Sequence, residues 1–81
     1  MSQKKFLFNS LRDLFKKELK IKVNIESKFL DFKSWDSLGN FNILLACEKK
    51  YKIKFTSNEF TSLNKFKEIL KVVEKKIKKR R

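Results

Sequence analysis

At 81 residues the chain has room for one domain, and its single cysteine and lack of histidine rule out an internal disulfide or a zinc site. The fold must therefore rest on a dense apolar core, for which nine Phe, Trp35 and Tyr51 supply the bulk. The balance is strongly basic, 22 Lys plus Arg against nine Asp plus Glu for a net charge of +13, which favours attraction to polyanions; yet 19 of the 22 are Lys, whereas bidentate recognition of phosphates and bases favours Arg.

The first helix is expected over residues 3–20. Leu7, Leu11, Leu14 and Phe15 recur at i, i+4, i+7 and i+8, with Arg12, Lys16 and Lys17 off that stripe. The short apolar piece Phe6-Leu7-Phe8 behind Lys4 and Lys5 ends at Asn9, too soon for a signal-peptide core, and no apolar run is long enough to span a bilayer. A cytoplasmic protein is expected.

Between residues 21 and 35 the helical period breaks. Ile21, Val23 and Ile25 alternate with polar residues, as do Tyr51, Ile53 and Phe55, so a two-stranded ribbon is one reading. The other is a long ordered loop pinned across the helices by Val23, Ile25, Phe29, Leu30 and Phe32.

The second helix is expected over residues 37–50, opened by Asp36-Ser37-Leu38. An Asp-Ser pair ahead of an apolar run marks a helix start, where the carboxylate can cap free N–H groups and the amides and dipole favour a phosphate. Its middle, Ile43-Leu44-Leu45-Ala46-Cys47, is apolar nearly all round, which suits a central position and makes Cys47 a buried structural thiol. Residues 56–60 offer Ser or Thr caps and an acidic first turn for a short helix. The last helix is expected from about Ser62, carrying Phe66, Ile69, Leu70, Val73 and Ile77 on one stripe. Six basic residues crowd positions 75–81, where fraying is expected beyond Ile77; removing them still leaves +7.

This order of elements, with Asp36-Ser37-Leu38 at the start of the second helix, resembles the acyl carrier protein family. Residues 36–51, DSLGNFNILLACEKKY, are similar to the family's Asp-Ser-Leu motif, its hydrophobic helix and the charged end before an aromatic. Glu26-Ser27-Lys28-Phe29-Leu30-Asp31 resembles the loop segment in which a Phe anchors the long first connection. Ile53, Phe55, Glu59 and the stripe over residues 66–73 fall where the family has its short third and longer fourth helices.

The resemblance covers nearly the whole chain and implies an all-α, acyl-carrier-like four-helix bundle: three longer helices, one short, and a long first loop. It implies that Ser37 is esterified by 4'-phosphopantetheine from coenzyme A, whose thiol carries acyl or aminoacyl groups as thioesters. Asp36 would assist the modifying enzyme, and Leu38, Asn42, Leu45, Glu48 and Lys49 would face partners. The partners implied are a phosphopantetheinyl transferase, an acyl- or aminoacyl-loading ligase, and an acyltransferase or synthase of lipid or secondary-metabolite biosynthesis, with the carrier a monomer. An apolar interior between the second and last helices would shelter an acyl chain, although bulky Phe side chains reduce the room.

The chain departs from the family in charge. The family's second helix typically displays carboxylates; here Glu48 remains, Lys49 and Lys50 follow it, and Asn42 stands where an acid is expected. The Trp35-Asp36-Ser37-Leu38-Gly39 context is similar to that of specialised carriers outside fatty-acid synthesis.

Blander readings stand beside these. Asp36-Ser37-Leu38 alone is what a plain helix cap uses. Trp35 is a stacking platform for a base, or it closes the loop over the core or helps frame the entrance used by the arm. The basic tail is a solvated end, or it binds anionic lipid or nucleic acid by charge, as a small basic helical module would. No nucleic-acid-reading motif, paired carboxylates with a His or metal site, or Gly-rich phosphate loop is present, so specific nucleic-acid binding and catalysis are not expected.

Overall fold

The computed structural model describes residues 2–79, with side chains described from Lys5 onward. It contains four helices: α1 (Ser2–Leu19), α2 (Ser37–Tyr51), α3 (Ser57–Ser62) and α4 (Phe66–Lys79). The stripe read from α1 buries Leu7, Leu11, Leu14, Phe15 and Leu19, and α1 packs on both α2 and α4. Phe15 sits at the centre, its ring 4.7 Å from Trp35 and 5.5 Å from Phe66, both edge-on. Ile43, Leu44 and Cys47 of α2 and Phe66, Ile69 and Val73 of α4 complete a fully buried core.

With a single glycine in the chain, the left-handed residues that end helices fall on lysines. Lys20 (φ 60°) closes α1 with its N–H on Lys16 O at 3.0 Å, and Lys52 (φ 57°) closes α2 with its N–H on Glu48 O. α3 begins at the expected Thr cap, which proves to be a full capping box: Glu59 N–H donates to Thr56 Oγ1, and Thr56 N–H donates back to the Glu59 carboxylate.

The connection over residues 20–36 is an ordered loop rather than a ribbon strand. Val23 and Ile21 are buried, and Arg12 Nε holds Val23 O at 3.0 Å, but Ile25 and Leu30 are exposed and pin nothing. Leu30 takes φ 72° in a turn whose N–H donates to Trp35 O, which turns its side chain away from the core. The loop's partner is the stretch ahead of α4: Phe29 N–H donates to Asn64 O and Phe66 N–H to Ser27 O, about a Lys28–Lys65 bridge.

Those bonds explain why α4 starts at Phe66 and not near Ser62. Leu63 and its neighbours are held extended, with Leu63 buried at the end of α3. At the other end α4 stays helical through Lys79, beyond the point where fraying was expected; Arg80 and Arg81 of the basic tail lie outside the described residues.

Candidate functional site at the start of helix α2

Asp36 is the N-cap of α2, in extended conformation, and its Oδ1 accepts the Gly39 N–H at 2.9 Å. The first intrahelical bond runs from Asn40 N–H to Asp36 O at 2.7 Å. The N–H groups of Ser37 and Leu38 precede that bond, so the helix supplies no acceptor for them. Ser37 is the first helical residue and is exposed, as are Asp36 and Leu38. A phosphodiester on Ser37 Oγ would therefore meet open solvent, two outward amides and the positive end of the helix dipole, and the residues present fit that group.

Three hydrogen bonds hold this corner, two of them buried. Trp35, adjacent to the cap, is fully buried, and its Nε1 donates to Asn40 Oδ1 at 2.9 Å; Asn40 Nδ2 in turn donates to Leu63 O at 2.8 Å. Trp35 is thus the plug that closes the loop over the core, and no face of its ring is free to stack on a base. Ser34 Oγ donates to Leu19 O at 2.9 Å, tying the loop to the end of α1. Gly39 faces that loop so closely that a β-carbon there would fall on the Ser34 carbonyl oxygen, with Leu19 Cδ2 3.3 Å away. The one glycine stands where backbone must meet backbone.

The crystal structure of an acyl carrier protein from Thermotoga maritima superposes on the chain with a TM-score of 0.77, covering 96% of this chain and 94% of that one at 18% sequence identity. The fold is that of an acyl carrier protein. No family model matches the chain, and no curated protein sequence matches it.

On this carrier fold, Leu38, Asn42, Leu45 and Lys49 are all exposed at i, i+4, i+7 and i+11, which places them along one line down the outer side of α2 from Ser37. Glu48 is set apart: its Oε2 accepts Phe55 N–H at 2.8 Å and so caps the turn after α2. Phe41 joins the apolar part of the line. Leu38, Phe41 and Leu45 are 67%, 46% and 40% exposed, an unusual concentration for three large apolar side chains on one helix. Sequence reasoning passed over Phe41, although its spacing from Leu38 and Leu45 was available. Gly39, Asn40 and Ser34 were also missed as site supports, because their roles depend on contacts that spacing does not show.

Beside this line an open groove runs from Leu45 to Ile53, with Lys49 and Lys54 on its rim and Glu18 contributed by α1. Cys47, on the opposite side of α2, is fully enclosed; burial, then the nearby Glu48 charge, pushes its thiol up to about 12, so it is no nucleophile. Among the described residues no His, Cys, Asp and Glu group could hold a metal ion, and no helix is long and apolar enough to cross a membrane.

Proposed function

We propose that this chain is a carrier that holds an acyl or aminoacyl group as a thioester on 4'-phosphopantetheine attached to Ser37, and presents it to biosynthetic enzymes. The observation that carries the reading is an exposed serine at the first position of a capped helix, within an acyl carrier protein fold. When bound, the arm supplies the thiol that forms the thioester. The chain's own work is to present Ser37 Oγ at a rigid corner, to offer N–H groups to the phosphodiester and to display the line Leu38, Asn42, Leu45 and Lys49 to partners.

In the modification, a bond forms between Ser37 Oγ and the phosphorus nearest the pantetheine of coenzyme A. The diphosphate bond breaks, adenosine 3',5'-bisphosphate leaves, and a phosphopantetheinyl transferase accepts the hydroxyl proton. A loading ligase, then an acyltransferase or synthase, follow as partners. In this role the chain is not an enzyme and works as a cytoplasmic monomer.

Intact mass spectrometry after co-expression with a broad-specificity phosphopantetheinyl transferase tests this. One phosphopantetheine should be added to the native chain and none to Ser37→Ala. No addition with several such transferases would leave a carrier fold without the carrier's chemistry.

A second reading has its own observation: α4 exposes Lys67, Lys71, Lys75, Lys78 and Lys79. Binding to polyanions through that face should weaken steeply with salt and survive Ser37→Ala.

A further inference from the structure

On α2, Asn40, Phe41 and Leu44 follow Ser37 by three, four and seven residues, so they mark the side along which a chain leaving Ser37 would enter the interior. Two layers close that route. The outer layer is aromatic: the Phe41 ring lies 5.2 Å from Phe60 of α3, and Phe60 lies 5.9 Å from Phe55, centroid to centroid. Lys76 of α4 covers it, its ammonium 5.6 Å from the Phe55 centroid and 3.0 Å from Glu59. The inner layer is polar. Asn40 Nδ2 donates to Leu63 O at 2.8 Å, tying α2 to the end of α3, while Asn40 Oδ1 accepts the Trp35 indole. Beneath it, Leu44 is fully buried, and the fully buried Phe15 packs edge-on against both Trp35 and Phe66.

An alkyl chain entering here would have to part the Phe41–Phe60 contact and break the Asn40–Leu63 bond, leaving buried polar groups without partners in an apolar surrounding. From this closed seam, and resting on Ser37 as the arm's attachment, we infer that the cargo stays outside the bundle and is a small or polar group, such as an aminoacyl or short acyl thioester, rather than a long alkyl chain. The chemistry consistent with this scaffold is that of a cargo needing no shelter from water, offered at the end of a solvent-exposed arm.

The test loads the chain with acetyl and with octanoyl from the corresponding coenzyme A esters, using a phosphopantetheinyl transferase. For each form, the rate of thioester cleavage by hydroxylamine and the thermal midpoint are measured. The inference expects octanoyl and acetyl to be cleaved in the same ratio as the corresponding free coenzyme A esters and to give equal midpoints. Slower cleavage of octanoyl than that ratio sets, together with a raised midpoint, would mean that the chain binds the folded interior, and would overturn it. Phe60→Ala combined with Asn40→Ala, in a variant whose melt shows it folded, supplies the positive arm: octanoyl should become protected relative to acetyl once both layers are removed, and no protection there would overturn the seam as the barrier. Failure of both esters to load overturns the arm at Ser37 itself, and the cargo inference with it.

Discussion

The Trp35 indole N–H and the Asn40 side-chain carbonyl meet at 2.9 Å inside the core, five residues apart, and this bond spans the exposed serine between them. Asn40 passes the tie on to Leu63 O, so one buried amide fixes the loop before α2, the first turn of α2 and the end of α3. Asn40→Ala leaves the indole N–H and the Leu63 carbonyl unpaired where water does not reach. Two such orphaned groups should cost about 2–4 kcal/mol. Urea unfolding checks this; a loss under about 0.5 kcal/mol, the range typical of an unremarkable surface change, would mean that the tie does not hold the corner.

Gly39→Ala should destabilise the protein even though alanine is the better helix former. Relieving glycine's entropy inside a helix would gain about 1 kcal/mol. The added β-carbon, however, meets the Ser34 carbonyl, which is backbone and cannot rotate away, and Ser34 is itself bonded to Leu19 O. Overpacking of this kind costs about 1–3 kcal/mol. The expected result is a lower thermal midpoint together with slower phosphopantetheine transfer to Ser37, since the loop that positions the serine must shift. A variant more stable than the parent would contradict the close approach.

Much of this architecture is legible in the residue order, for reasons that differ from element to element. α1 and α4 show themselves because an amphipathic stripe on a surface helix is a local property of spacing. Asp36 as a cap is equally local, since its carboxylate reaches an N–H only three residues away. The start of α4 was misplaced because Phe66 N–H and Asn64 O pair with a loop almost forty residues upstream, a relationship no window can hold. Ile25 and Leu30 were misjudged for a related reason: alternation records which residues are apolar, not which way a turn with positive φ aims them. At the site, Ser37 is legible from its motif, whereas Glu48 reads as a surface acid until the fold brings Phe55 N–H to it.

The exposed apolar residues on α2 should serve recognition rather than stability. Leu38 and Leu45 lie on the outer side of the helix, so Leu38→Asp and Leu45→Asp should leave the thermal midpoint nearly unchanged. If a transferase docks there, each change should lower kcat/KM for modification of Ser37 by about tenfold, the loss of one apolar anchor worth somewhat over 1 kcal/mol. Transfer kinetics at fixed salt give the answer. Unaltered kinetics in both variants would remove this face from the docking surface.

Acid should weaken the junction between α3 and α4. Burial tends to raise the Glu59 carboxyl, but the Thr56 N–H at 2.9 Å and the Lys76 ammonium at 3.0 Å outweigh it and hold the group below its ordinary value of 4.5. A carboxyl lowered in the folded state binds protons more readily when unfolded. Its contribution is therefore complete above the unfolded value and is lost as pH falls through the folded one. The stability gap between the parent and Glu59→Gln should be constant near neutrality and should narrow on acidification below the ordinary carboxylate range. Thermal melts across that range would show it, and a gap that widened in acid would reverse the assignment.

Cys47 provides a thiol count that separates the unmodified from the modified protein. Its side chain is fully buried, and burial first, then the Glu48 charge, pushes the thiol up to about 12, so at pH 8 the thiolate is both scarce and inaccessible. A disulfide reagent such as dithionitrobenzoate should therefore find no rapidly reacting thiol in the native unmodified chain, and one after urea unfolding. In the form carrying phosphopantetheine on Ser37, the same reagent should find one fast thiol while native, at the end of the arm, and a second only on unfolding. Fast reaction of the native unmodified chain would mean that α2 opens on the timescale of the assay and that the core around Cys47 is not closed. A modified chain with no fast thiol would place the arm's end inside the protein, against a carrier that presents its cargo to solvent.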